Sequence, residues 1–189
     1  TREKWSEMGK EVVAYEVVNK GEQDQSALVT RIKSKAPDAV FWTAYYADGA
    51  LVIKQLRQGG YRNLIAVGDG SNSPKLLEIA GNAAEGVYCF SYPTVEYLPA
   101  AKDFHANYKA AYNQDPDAYA ALSYDGMKLM ADAINRAGST DKDAIIKALA
   151  ATKDFTGIAG PISFTDQNTL ARSNFVILVA KDGKWALHK

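Results

Sequence analysis

The sequence contains few of the residues on which metal-dependent or thiol-dependent chemistry relies. Cys89 is the only cysteine, which excludes an internal disulfide bond and any metal site built from several thiolates. Inside the apolar run 86–90 it reads as a small buried hydrophobic residue. His105 and His188 are the only histidines, and neither lies in a metal-ligand pair or a local catalytic motif. We therefore expect no enzymatic activity, no cofactor and no bound metal.

Net charge and long apolar runs are also lacking. Twenty-two acidic and twenty-two basic residues leave a formal net charge of zero, so no overall field favours nucleic acid or an anionic membrane. No apolar run reaches the roughly 18 residues that would span a bilayer. The opening residues 1–4 do not have the pattern of a secretory signal, which leaves a signal upstream of a truncated start as an open alternative. This composition fits a small, nearly neutral ligand.

Phosphate-binding loops are missing as well. Gly68 and Gly70 lack the third glycine of a dinucleotide-binding fingerprint, and no Walker-type Gly-Lys-Ser occurs. Asp48 and Asp69 form an acidic pair that is compatible with magnesium, as in receiver-like α/β domains. Two carboxylates alone are weak evidence for a metal-dependent enzyme.

The first half of the chain alternates short β-rich runs with helical patterns. The runs 12–18, 39–45, 64–69 and 86–92 have the length and composition of strands. Apolar stripes at helical spacing lie between them. Strands that are separated by single helices pair in parallel through right-handed crossovers. The pattern predicts an α/β fold with a doubly wound parallel sheet.

From Tyr92 onward the pattern changes to helices without intervening strands. We expect helices over about 100–112, 118–137 and 141–151, with Thr140 as the cap of the last. Their apolar faces need a surface to cover, and the sheet that they would cover is not encoded in this chain. β character returns in the tail. We expect the chain to change domain near 92–93 and near 155–157.

Candidate binding residues stand at the ends of the predicted strands. Ligands of open parallel sheets bind beyond the carboxyl ends of the strands, where Tyr45, Asp69 and Tyr92 are found. A carboxylate at such a place can pair with a ligand ammonium, and a tyrosine offers a hydroxyl and a ring face. Spacing alone leaves two plainer alternatives open: Asp69 as part of an ordinary turn, and the aromatic residues as packing.

Four stretches together resemble a known family. They are VVAYEVVNKGEQDQSALVTRIKSKAPDAVFWTAYYADGALVIKQLRQGG, VGDGSNSPKLLEIAGNAAEGVY, NQDPDAYAALSYDGMKLMADAI and ATKDFTGIAGPISFTDQN. In this order they are similar to the second half of the leucine/isoleucine/valine-binding proteins, which are type I periplasmic binding proteins. The resemblance covers nearly the whole chain.

The resemblance implies a domain organisation. In that family two α/β lobes flank a cleft and the chain crosses between them three times. Residues 1–91 would then form lobe two, residues 94–156 would be helices that return to lobe one, and residues 157–189 would be closing strands of lobe two. The strands of lobe one and the opening strand of lobe two would be missing, as expected of a fragment. We expect the exposed lobe-one helices to favour self-association.

The resemblance also implies roles for individual residues. Asp69 matches the acidic residue that pairs with the α-ammonium of the ligand, and Tyr45 matches a tyrosine that lines the cleft. Tyr119 matches an aromatic residue that packs near the ligand side chain. The groups that hold the ligand carboxylate belong to the absent lobe, so no residue of this chain is assigned to them.

The function that the resemblance implies is that of the extracytoplasmic solute-binding component of an ABC importer. Its ligand would be a branched-chain or other small amino acid, its partner the ABC permease in the membrane, and its location the periplasm or another extracytoplasmic space. Nucleic acid is not an expected partner. A ligand-sensing domain of a receptor or regulator with the same fold, and a magnesium-dependent α/β enzyme, are the alternatives. The sequence does not decide which amino acid is bound.

Overall fold

The computed structural model describes residues 2–172 and 174–188, which form two compact units. Of these residues, the first unit comprises 2–91 and 177–188, and the second comprises 92–172 and 174–176. In chain order the elements are α1 (Arg2–Glu7), α2 (Ser26–Ser34), β1 (Ala39–Trp42), α3 (Tyr46–Gln58), β2 (Leu64–Val67), α4 (Pro74–Ala80), β3 (Tyr88–Ser91), α5 (Lys102–Tyr112), α6 (Ala120–Ala137), α7 (Lys142–Ala150), β4 (Phe155–Gly157), β5 (Gly160–Ile162), β6 (Val176–Lys181) and β7 (Lys184–Leu187).

The first unit is built on a five-stranded sheet with the order β1-β2-β3-β6-β7. Strands β1, β2 and β3 are parallel, whereas β6 and β7 form an antiparallel hairpin. Asp182 and Gly183 turn this hairpin with φ angles of 51° and 71°, which are the left-handed values that a two-residue hairpin turn requires. The predicted α/β class with a largely parallel sheet is confirmed.

Helices α3 and α4 pack against each other on one face of this sheet. Successive right-handed crossovers that proceed in one direction across a sheet keep their helices on the same side. The largest fully buried side chains of the unit include Ile53, Leu56, Ile65, Leu76 and Leu178. The other face is much less covered, because Phe41, Leu64 and Phe90 are exposed there and the two phenylalanine rings meet edge to face at 5.8 Å.

The predicted strand over 12–18 is not formed. Tyr15 and Val17 are 77% and 79% exposed, and an ion pair between Glu16 and Arg31 at 2.9 Å connects the segment with α2. A β-rich sequence becomes a strand only when a neighbour completes its ladder of hydrogen bonds. Among the described residues, β1 is an edge strand that pairs with β2 alone, and no strand occupies its other side.

The second unit contains the three predicted helices and a short hairpin. Its buried cluster consists of Val95, Ala101, Ala121 and Ala159. Helix α7 is capped by Asp141, whose carboxylate accepts from the Ala144 amide at 2.9 Å, and not by Thr140 as predicted. The aspartate can reach the third amide of the helix from the cap position itself, whereas Thr140 lies one residue too early.

The return of the chain to the first unit differs from the predicted point. The sequence predicts closing strands from residue 157, but among the described residues β4 and β5 form a separate two-stranded sheet and lie in the second unit. The chain rejoins the five-stranded sheet with β6, at Ile177. The assignment of the two units to lobes stays a prediction.

The helices of the second unit expose apolar side chains. No residue of α5 or α7 is buried in the described structure, and on α6 Met127 is 72% exposed. These faces fit the predicted need for a covering surface, and self-association stays a prediction. Within residues 2–172 and 174–188, no helix combines the length and the apolar character that crossing a membrane would require.

Candidate functional site

Two loops at the carboxyl ends of β1 and β2 carry Tyr45 and Asp69. Tyr45 immediately precedes α3, and Asp69 begins a short 3-10 turn that leads toward α4. Because the two strands are parallel, both loops lie at the same edge of the sheet. A Cβ atom built on Gly70 would lie 3.6 Å from Cδ1 of the Tyr45 ring. The two predicted contacts therefore belong to neighbouring loops.

Hydrogen bonds join these two loops. The Ser71 hydroxyl donates to the carbonyl of Ala44 at 2.9 Å, and the amide of Gly68 donates to the carbonyl of Trp42 at 2.9 Å. The indole N–H of Trp42 donates to the carbonyl of Tyr45 at 3.2 Å. Sequence reasoning missed Ser71 and Trp42. The run of short polar residues after Gly68 was the only available signal, since the partner of Ser71 lies 27 positions away.

Tyr45 presents its ring to solvent, with 68% of the residue exposed. Asp69 is also exposed. An exposed aspartate in the loop next to one that carries an exposed aromatic ring can receive an ammonium group, because a carboxylate pairs with its charge and a ring face attracts cations. This edge of the sheet therefore has the chemistry of a site for a small cationic or zwitterionic amine.

Cys89 lies buried in β3 beneath this edge. Its thiol is directed at the carbonyl of Gly68, at 3.7 Å. Burial raises the pKa of the Cys89 thiol to about 12, and the negative charge of Asp69 contributes further to the increase. A thiol with this pKa is neither a nucleophile nor a metal ligand near neutral pH. The predicted burial of Cys89 is confirmed.

The other predicted aromatic residues belong to the second unit. Tyr119 immediately precedes α6, and its amide donates to the Asp117 carboxylate at 2.9 Å. Tyr92 follows β3, and its ring centroid lies 4.4 Å from that of Phe175. Tyr45 and Asp69 therefore belong to the first unit, whereas Tyr92 and Tyr119 both belong to the second. The role of Tyr119 as a ligand contact stays a prediction.

Asp48, one of the two acidic residues considered for magnesium, takes part in a structural hydrogen bond. Asp48 is buried in the first turn of α3, and its carboxylate accepts from the amide of Gly21 at 2.8 Å. It therefore fixes the loop before α2. In the described part of the chain, no three histidine, cysteine, aspartate or glutamate side chains form a group that could hold a metal ion.

Comparison with known proteins identifies a family. The sequence pattern of the family described as periplasmic binding protein matches residues 1–184. A Leu/Ile/Val-binding protein homolog from Brucella abortus is 30% identical over 188 residues, which cover 98% of this chain and 50% of that protein. The chain thus spans about half the length of the curated relatives that it matches.

Two solved structures extend this similarity to the fold. The crystal structure of a leucine binding protein from Thermotoga maritima superimposes with a TM-score of 0.89 at 34% identity, and covers 99% of this chain and 53% of that one. The substrate binding protein of a branched-chain amino acid transporter from Streptococcus pneumoniae, in complex with isoleucine, gives a TM-score of 0.77 at 33% identity. It covers 93% of this chain and 51% of that one.

Proposed function

Because the chain belongs to the periplasmic binding protein family, we propose that it forms part of an extracytoplasmic protein that binds a small amino acid and presents it to an ABC importer. The observation that carries the proposal is the match of this family over residues 1–184. The relatives named above bind leucine or isoleucine or are named for branched-chain amino acids, which supports a ligand of that class. The family is one of solute-binding proteins, which supports binding without catalysis.

We propose that Asp69 pairs with the α-ammonium of the amino acid and that Tyr45 lies against it. An α-amino acid is a zwitterion, so its site needs an acceptor for the ammonium and donors for the carboxylate. Asp69 provides the acceptor, and the exposed ring of Tyr45 provides a hydroxyl and a cation-attracting face. Tyr119 is a further proposed contact, to the ligand side chain.

The donors for the ligand carboxylate are proposed to lie in the part of the relatives' length that this chain does not span. A small ligand is held tightly only when most of its surface is buried. We therefore expect the 189-residue chain to bind leucine weakly, with no heat signal at micromolar ligand in calorimetry. Millimolar leucine should nevertheless occupy the half of the site that this chain carries.

An amide-detected NMR titration with leucine tests the proposed contacts. We expect shifts to concentrate at the loops that carry Tyr45 and Asp69. The Asp69→Asn variant should weaken binding about 10-fold or more, because a hydrogen bond to a charged group contributes roughly 1.5–3 kcal/mol. The Tyr45→Phe variant removes only the hydroxyl, so an unchanged affinity in this variant would assign the contact to the ring face.

Asp38→Asn is the matched control. Asp38 is exposed and precedes β1, so it stands at the amino end of the same sheet and undergoes the same chemical change. We expect its affinity for leucine to equal that of the unmodified chain. Equal losses in the Asp38→Asn and Asp69→Asn variants, or leucine-induced shifts confined to other regions, would contradict the assignment.

A further inference from the structure

Two consecutive carbonyl groups between β1 and α3 each accept a hydrogen bond from a side chain. The carbonyl of Tyr45 accepts from the indole N–H of Trp42 at 3.2 Å and from the amide of Gly49 at 3.1 Å. The carbonyl of Ala44 accepts from the Ser71 hydroxyl at 2.9 Å. The backbone beneath the exposed Tyr45 ring is therefore fixed from within its own turn and from the neighbouring loop.

The indole of Trp42 occupies space that is open because Gly49 has no side chain. A Cβ atom on Gly49 would lie 2.6 Å from Nε1 and 2.9 Å from Cδ1 of the Trp42 ring, which is closer than real Cβ contacts occur. The ring thus lies directly against the backbone of α3. The hydrogen bond from Trp42 to the carbonyl of Tyr45 depends on this close approach.

Ser71, the donor to the Ala44 carbonyl, lies in a loop that is itself held by hydrogen bonds. Ser71 is fully buried, and its neighbour Asn72 donates through its side-chain amide to the hydroxyl of Ser91 at 2.9 Å, in a buried hydrogen bond. The amide of Asn72 also donates to the carbonyl of Asp69 at 2.8 Å. The loop that carries Asp69 is thereby connected both with β3 and, through Ser71, with the loop that carries Tyr45.

We propose that Trp42 and Ser71 are positioning residues, which hold the backbone of Tyr45 in the conformation that meets the ligand. The inference rests on the proposed function of Tyr45 and Asp69. An exposed side chain contributes more to affinity when its backbone is fixed before binding, because less conformational freedom is lost on contact. The two residues touch no ligand in this scheme and act through the carbonyls of Ala44 and Tyr45.

Amide hydrogen exchange measured by NMR on the unliganded chain tests the positioning step. The reporter is the amide of Gly49, which donates to the carbonyl of Tyr45. We expect its exchange to become about 5-fold faster in Ser71→Ala and in Trp42→Phe, since each variant removes one hydrogen bond worth roughly 1 kcal/mol. The amides of α4 should keep their protection in Ser71→Ala, which separates local loosening from a general loss of stability.

Two control variants remove equivalent bonds elsewhere. Ser34→Ala removes a hydroxyl that donates to the carbonyl of Arg31 at 2.8 Å, and Trp185→Phe removes an indole N–H that donates to the carbonyl of Ser73 at 3.3 Å. Exchange at Gly49 should be unchanged in both. Equal acceleration at Gly49 and throughout α4 in Ser71→Ala would overturn the proposal. If Trp42→Phe fails to fold, the exchange rates measured in Ser71→Ala alone test the proposal.

A leucine titration of Ser71→Ala then tests whether the hydrogen bond from Ser71 to the Ala44 carbonyl affects binding. We expect its affinity for leucine to fall several-fold although Tyr45 and Asp69 are intact. Faster exchange at Gly49 with unchanged leucine affinity would overturn the positioning role while leaving the proposed function standing. An unmodified chain that shows no leucine-induced shifts would instead contradict the proposed function, and with it the basis of this inference.

Discussion

Asp125 offers the sharpest test of how the second unit is held together. The residue is only 1% exposed, and its two carboxylate oxygens accept from the amides of Ile158 and Ala159 at 2.9 Å and 2.8 Å. These amides belong to the turn between β4 and β5. One buried carboxylate on α6 therefore fixes the hairpin, and both oxygens are used as acceptors, as expected of an ionised group.

Replacement of Asp125 by asparagine removes one of these acceptors without a change in size. One backbone amide then faces an NH2 group instead of an oxygen, and the remaining hydrogen bond is no longer charge-assisted. An unsatisfied buried donor costs about 1–3 kcal/mol, and a charged hydrogen bond contributes about 1 kcal/mol more than a neutral one. We expect Asp125→Asn to lower the free energy of unfolding by about 2–4 kcal/mol.

Urea unfolding followed by far-ultraviolet circular dichroism measures this loss. Asp132→Asn is the matched control, because it makes the same change on the same helix at a partly exposed residue that pairs with Arg136 at 2.7 Å. We expect Asp132→Asn to lower the free energy of unfolding by less than about 0.5 kcal/mol, which is the usual contribution of an exposed ion pair. Equal effects of the two variants would refute the reasoning.

Gly157→Ala adds a check, since its Cβ would lie 2.5 Å from Oδ2 of Asp125. Its effect should be non-additive with that of Asp125→Asn.

The remaining predictions concern the first unit and one exposed glycine. Gly49→Ala should destabilise the chain in urea unfolding, because displacing the Trp42 ring costs about 1–3 kcal/mol while the helix gains only about 1 kcal/mol from alanine. Gly126→Ala, in α6 with nothing near its Cβ position, should stabilise by about 0.5–1 kcal/mol; a loss of stability there would contradict this comparison. Cys89 should resist thiol reagents at pH 8 until the chain is unfolded. Because its pKa is raised to about 12 in the folded state, the stability linked to this thiol should be complete below its ordinary value near 9 and fall as the pH rises from there toward 12. Rapid labelling of the folded chain would refute both statements about Cys89.

Periodicity and turn residues were sufficient to predict most of the elements. The start of α4 is a local signal of this kind, since Ser73 accepts from the Lys75 amide and Pro74 opens the helix. The helix over 118–137 is observed as Ala120–Ala137. Such features depend on residues close in sequence, which a single sequence displays directly.

Features that depend on distant partners could not be predicted in the same way. The run 12–18 has strand composition, yet a strand needs a neighbour and the described chain provides none for it. Asp125 appears in the sequence as an ordinary helical residue, because the amides that it binds lie 33 and 34 positions further on. Within the candidate site, Tyr45 and Asp69 could be proposed because they stand at the ends of predicted strands. The hydrogen bonds that Trp42 and Ser71 donate to the loop of Tyr45 are visible only in the folded structure.

The three tryptophans of this chain all belong to the first unit, at positions 5, 42 and 185. The indole N–H of Trp42 donates to the carbonyl of Tyr45, and that of Trp185 donates to the carbonyl of Ser73, which follows the loop that carries Asp69. Emission excited at the red edge, where tyrosine does not absorb, therefore comes from this unit alone. Trp42 is buried whereas Trp5 is exposed, so an aqueous quencher such as iodide can suppress the Trp5 signal first. The fluorescence that remains then reports on the surroundings of Trp42 and Trp185, and so on the loops that carry Tyr45 and Asp69.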